Sequence, residues 1–153
     1  MKEDLEGISL FQDLSTQQLQ EVAQFCATLS LSDGDMLIHE AERNDNDLYL
    51  LCNGSVEIVS ASSRVTSGEV VISHEDKDVF GEVGWLAGAP RTASVRCRGP
   101  VQAIRVDGRA LTKYIASHHD LGYLLMHHIA LTLARRMQGT DTLLKQILWN
   151  TTL

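Results

Sequence analysis

Positive charge is scarce in this chain. Lys and Arg total 13 against 20 Asp and Glu, a formal net charge of −7 over 153 residues. That balance repels the phosphate backbone a nucleic-acid binder must attract, so contact with DNA or RNA through this chain is not expected. Long apolar runs are also missing. No stretch approaches the roughly 18 consecutive apolar residues of a membrane-spanning helix. The N-terminus, Met1-Lys2-Glu3-Asp4-Leu5-Glu6-Gly7, carries acids where a secretory peptide has its apolar core. A cytoplasmic protein without membrane contact is the expectation. The three cysteines, Cys26, Cys52 and Cys97, are odd in number and far apart. They fit neither a disulfide framework nor a CxxC pair, and reduced, mostly buried thiols follow. The histidine pairs His118-His119 and His127-His128 are neighbours that point to different faces of a helix, which makes them surface or packing residues rather than a metal set. No metal triad, nucleophile elbow or carboxylate pair spaced for acid–base work can be picked out, so neither an enzyme nor a cofactor is expected.

What is present reads as one ordinary globular domain over residues 1–153, with 44% hydrophobic and 22% charged residues. Ser15-Thr16-Gln17-Gln18 has capping-box form, and Leu19, Val22, Ala23 and Cys26 follow at helical spacing, which predicts a helix near 16–28. From Leu29 the texture changes to short apolar runs broken by turn formers. Strand candidates lie at 36–38, 48–52, 55–59, 69–73, 93–97 and 101–106, and Asn53-Gly54 between two of them is a tight-turn signal. Their spacing predicts a small antiparallel barrel or jelly roll over about 29–106.

Asp107 is an N-cap candidate for a short helix at 109–115. A longer helix is expected from about 120 to 148, roughly 40 Å at 1.5 Å per residue. Along it Tyr123, Met126, Ala130, Leu133, Met137, Thr140, Leu144 and Ile147 recur in steps of three and four, the spacing of a self-associating seam. Leu121, Leu124, Leu125, His128 and Leu131 form a separate face suited to packing on the barrel. A long helix lying across its own barrel is the competing reading. The fold class is thus mainly β with flanking helices, an antiparallel jelly-roll barrel between an N-terminal helix and a long C-terminal one.

The chemistry concentrates at 80–95, Phe80-Gly81-Glu82-Val83-Gly84-Trp85-Leu86-Ala87-Gly88-Ala89-Pro90-Arg91-Thr92-Ala93-Ser94-Val95. Gly81 and Gly84 let backbone approach a ligand closely, Arg91 can fork onto a phosphate, and Glu82 offers acceptors to a sugar hydroxyl. Those parts together describe a nucleotide site. The same residues also allow a surface salt bridge between Glu82 and Arg91 across a Gly-Pro loop.

This segment resembles the phosphate-binding cassette of cyclic-nucleotide-binding domains, FGE-x-(A/G) followed by P-R-x-A-(S/T)-V. Upstream, Ser32-Asp33-Gly34-Asp35-Met36-Leu37-Ile38 and Leu48 to Val56 with its G-x-V look like that family's first strands, so the resemblance covers nearly the whole chain. It implies a jelly roll flanked by helices. It also implies that Glu82 binds the ribose 2′-hydroxyl, that Arg91 binds the cyclic phosphate, and that Gly81, Val83, Gly84, Thr92 and Ala93 line the phosphate and sugar. Ala41 and Lys77 stand where the family usually has turn glycines, and neither position supplies a ligand contact in the resemblance.

The closing helix, with Ala134-Arg135-Arg136, is similar to the dimer helix of the catabolite-activator branch. That likeness implies a homodimer and a base contact from the residues after the run, here Thr140 and Asp141. Thr92 follows Arg91 at the position that in the kinase branch is Thr in cGMP binders. The closing helix pulls the other way, and the expectation is a receptor for cAMP, in preference to cGMP, that relays binding to an effector protein through its last helix. A ligand-free scaffold of the same fold and the sensor piece of a transcription regulator are the alternatives.

Overall fold

The computed structural model describes residues 2–39, 46–59, 72–74, 79–91 and 93–152. The turn positions Ala41 and Lys77, part of the expected strand at 69–73, and Thr92 lie outside these residues. The chain opens with α1 (Lys2–Glu6) and a 3-10 turn at Ser9–Phe11, followed by α2 (Thr16–Ala23). The strands are β1 (Cys26–Leu31), β2 (Met36–Ile38), β3 (Leu48–Val59), β4 (Ile72–His74), β5 (Val79–Phe80) and β6 (Ser94–Val106). A short helix, α3 (Glu82–Ala87), separates β5 from β6, and α4 (Gly108–Ile115) and α5 (His119–Thr152) close the chain.

Ser15 caps α2 as the capping box requires, accepting from Gln18 N at 3.1 Å while the Gln18 side chain accepts from Ser15 N at 2.9 Å. The helix ends at Ala23, earlier than its apolar spacing suggests, because Cys26 already pairs with Val106 in the sheet. All strand pairings are antiparallel, in the order β1-β6-β3-β4, with β2 on β6 and β5 on β3. The expected barrel is therefore corrected in one respect: the described strands make an antiparallel sheet that does not close on itself.

The expected turn at Asn53-Gly54 is also corrected. Both residues lie inside β3, which runs unbroken past them. Register moves from Asn53↔Gln102 to Ser55↔Arg98, so two residues of β3 face four of β6, a bulge rather than a hairpin. Gly54 has φ +108°, and a Cβ there would come within 2.6 Å of Pro100 O. The glycine serves a close strand crossing, not a reversal of the chain.

Successive residues of β3 face opposite sides, which is why Leu48-Tyr49-Leu50-Leu51 is apolar without interruption. Leu48 and Leu50 join Val79, Ile104 and Val106 against the helices. Tyr49 and Leu51 join Phe80, Val95, Val101 and Ala103 on the other face. All three cysteines are free, Cys97 buried and Cys26 and Cys52 half-buried, and burial pushes the Cys26 thiol up to about 12.

α5 docks by Leu121, Leu125 and Ile129, one turn apart and all buried. His128 is buried beside them, with Nδ1 3.0 Å from Leu10 O and Nε2 3.4 Å from Asp13 Oδ2. Leu124 is only half-buried and Leu131 is exposed, so the docking face is narrower than its sequence pattern and turned toward Ile129. From Met137 to Asn150 every side chain is exposed.

Truncation should separate these faces. Leu125→Ala is expected to cost about 2–5 kcal/mol of stability and Leu131→Ala less than about 1 kcal/mol, read from urea midpoints at constant slope. Equal costs would mean that α5 is not held by the Leu121-Leu125-Ile129 face.

Candidate functional site

β5 delivers Phe80 to the sheet edge, and Gly81 then turns the chain in the left-handed region at φ +86° to start α3. α3 stops at Gly88, again left-handed at φ +64°, so that the chain doubles back and brings Arg91 under the helix it has just left. The guanidinium lies between the two glycines. A Cβ on Gly81 would stand 2.7 Å from Arg91 Nη1, and one on Gly84 would stand 2.6 Å from the same atom. Any side chain at either position would have to displace the arginine.

Arg91 is only 5% exposed. Its Nη1 donates to Gly81 O at 2.8 Å and its Nη2 to Asp47 O at 2.6 Å, so main-chain carbonyls of two different loops orient the cation. Carbonyl oxygens fix such a group in space, and a guanidinium buried at a cavity suits an anionic ligand. Glu82 is buried as well, so a surface salt bridge does not describe the pair.

The partner of Glu82 comes from the far end of the chain. Arg136 on α5 donates from Nη1 to Glu82 Oε1 and from Nη2 to Val79 O at 2.6 Å. Arg136 falls on the docking stripe of α5, eight residues after His128 and four after Thr132. An arginine continuing a buried face in an acidic protein is a readable sign of a carboxylate partner, whereas the closing-helix resemblance points to Thr140 and Asp141 instead.

Gly81, Glu82, Val83, Gly84, Arg91 and Ala93 all line one cavity of about 140 Å³. Arg136 closes one side of it, and Ile38, Ile58, Val95, Phe80 and Pro90 supply apolar walls. Thr140 and Asp141 do not line it. They are exposed on α5 one turn beyond Arg136, where the Thr140 hydroxyl donates to Arg136 O at 3.1 Å. The lining thus combines cationic side chains, a carboxylate and apolar walls. Among the described residues no group of three or more His, Cys, Asp or Glu could hold a metal ion, and no helix is long and apolar enough to cross a membrane.

The family model described as the cyclic nucleotide-binding domain matches residues 28–118, from β1 through α4 and including the whole cavity lining except Arg136. The chain belongs to the cyclic nucleotide-binding domain family. Domains of this family are generally regulatory sensors rather than catalytic domains. The chain is 22% identical over 117 residues to a cAMP-dependent protein kinase regulatory subunit of Blastocladiella emersonii, covering 76% of this chain and 28% of that protein. It spans less than a third of the length of the curated relatives it matches. Among solved structures, a putative cyclic nucleotide-binding protein from Geobacter metallireducens is 26% identical at a TM-score of 0.75, with 89% of this chain and 97% of that one covered. A cyclic nucleotide-binding domain from Methylobacillus flagellatus shares the fold at a TM-score of 0.80 and 20% identity, with 94% and 80% covered.

Proposed function

We propose that the chain is a receptor for a cyclic nucleotide, cAMP in preference to cGMP, and that it passes the binding event to an effector protein through α5. The observation that carries this reading is the buried Arg91 guanidinium, oriented by main-chain carbonyls in the bonds described above, with the Glu82 carboxylate lining the same cavity. Arg91 takes the cyclic phosphate, and Glu82 accepts from the ribose 2′-hydroxyl. Gly81, Val83, Gly84 and Ala93, with Thr92, surround the phosphate and sugar, and the apolar walls receive the base.

The cavity lies below the roughly 300 Å³ at which ordinary small-molecule pockets begin, so a nucleotide has to widen it. Arg136 is the part that ties this widening to α5. Its guanidinium shares the carboxylate that the ribose needs, and a nucleotide that changes how Glu82 is shared changes where α5 is held. Such a ligand favours one α5 position over another by its differential affinity for the two, which is all a relay requires. Thr140 and Asp141 contact a base only after α5 moves toward the cavity. The name of the Blastocladiella relative and the closing-helix resemblance support cAMP over cGMP.

The second half of α5 supports a homodimer. Met137, Leu144 and Ile147 are each half or more exposed, and with Tyr123, Met126 and Ala130 they form an apolar stripe turned away from the docking face. A rod of this length with no packed face is marginal in water by itself, and a second copy laid along the stripe would bury it. The acidic chain, acting as a single domain in the cytoplasm, neither touches nucleic acid nor catalyses a reaction in this reading.

Arg91→Ala is expected to leave the fold intact and to weaken cAMP binding by about 2–5 kcal/mol in a calorimetric titration, because the ligand phosphate loses its buried partner. Unchanged affinity would remove the proposed phosphate site. Leu133, which the seam spacing also includes, packs against the core of its own chain instead, so the test falls on an exposed position: Met137→Glu should convert a dimer into a monomer by light scattering at micromolar concentration. An unmodified protein that is monomeric with and without cAMP would show that the stripe is not a self-association surface.

A further inference from the structure

Asp47, at the entry to β3, is bonded on both sides. Its main-chain carbonyl accepts from Arg91 Nη2 at 2.6 Å, while its side-chain Oδ1 accepts from Gly108 N, the first amide of α4, at 3.0 Å. Oδ2 faces Arg105 Nε at 3.6 Å. Gly108 in turn sits hard against the same loop: a Cβ there would lie 1.9 Å from Asn46 O and 2.8 Å from the Trp85 ring. Its carbonyl accepts from Trp85 Nε1 at 3.0 Å, and Trp85 Nε1 also donates to Thr112 Oγ1 at 2.9 Å.

These bonds form a closed circuit, from Arg91 to the Asp47 carbonyl, through the Asp47 carboxylate to the start of α4, and back through Trp85 to α3. Asp107 already caps α4 by accepting from Ala110 N at 3.0 Å. Asp47 serves a different amide of the same helix start, Gly108 N, and does so from a loop 61 residues earlier in the chain. What Asp47 adds is a covalently short link between the atom that orients Arg91 and the amide that seats α4.

We propose that Asp47 is a positioning residue that couples Arg91 to α4, so that a change in how Arg91 is engaged moves the first turn of α4 and with it the root of α5. The coupling rests on geometry within the chain, and only its triggering by a nucleotide rests on the receptor reading above. When an anion draws the guanidinium away from the Asp47 carbonyl, the peptide of Asp47 is freed to shift. Gly108 follows because it has no room to stay behind.

The test is a double-mutant cycle on the full chain, read by NMR hydrogen exchange of the α4 amides with β1 amides as internal reference. Arg91→Ala is expected to speed exchange at Gly108 and the residues after it by about tenfold, and to have no such effect where Asp47→Ala is already present. Asp47→Asn, which keeps an acceptor oxygen, should restore the effect. An Arg91→Ala effect of the same size in both backgrounds would overturn the coupling, as would acceleration shared equally by β1. If Asp47→Ala does not fold, the Gly108 amide resonance decides in otherwise unmodified protein: it must move on Arg91→Ala, and a resonance that stays in place overturns the proposal. Adding cAMP separates the two claims. A chain that shows the coupling but whose α4 exchange ignores saturating cAMP keeps the Asp47 link and loses the receptor reading.

Discussion

The structure around the site depends on the burial of one positive charge. Placing the Arg91 guanidinium out of water is costly unless its donors find partners, and the carbonyls of Gly81 and Asp47 meet Nη1 and Nη2 from two directions. Several local features follow from it. Gly81 and Gly84 have no side chain because the guanidinium occupies that space, and Gly81 and Gly88 are left-handed so that α3 can begin and end over the arginine. Asp47 has to present its carbonyl there, which places the start of β3 beside the cassette.

The same charge organises the helices. α3 is anchored to α4 by the Trp85 indole, and α4 is seated on the Asp47 carboxylate. α5 reaches back to the cavity through Arg136, which meets Glu82 where α3 begins. Two arginines from distant parts of the chain therefore bracket one cavity, one fixed by carbonyls and one by a carboxylate. Beyond Arg136 α5 leaves the body of the protein, and its side chains face solvent. A helix held on one face by Leu121, Leu125 and Ile129 and latched once by Arg136 is well placed to respond to what happens at Glu82.

The cassette was legible because its signal is dense and local: glycines, one acid and one arginine within a dozen residues, each with a geometric reason to be there. The capping box at Ser15 was legible for the same reason. Arg136 escaped because its partner lies 54 residues away, and nothing in the spacing of a helix names its distant contact. Asn53-Gly54 misled because the residues that favour a two-residue turn also permit a bulge, and the choice is made by the opposing strand, where Gly99 to Val101 put two extra residues opposite Gly54. Strand spacing and the family resemblance both point to a closed barrel, whereas pairing at a sheet edge is a matter of tertiary geometry. Ile129 replaced Leu131 on the docking face because the position of the N-terminal turn against α5, not the hydrophobicity of either residue, sets which side is covered.

The central claim is that Arg91 and Glu82 hold a cyclic ribonucleotide by its phosphate and its 2′-hydroxyl. The most direct measurement is a calorimetric comparison of cAMP with its 2′-deoxy analogue on the unmodified chain and on Glu82→Gln. The account predicts that the unmodified chain binds the ribonucleotide more tightly and that the gap narrows in Glu82→Gln, because an amide offers the hydroxyl a single, uncharged acceptor oxygen. Equal affinity for the two ligands in the unmodified chain, or a gap untouched by the substitution, would contradict it.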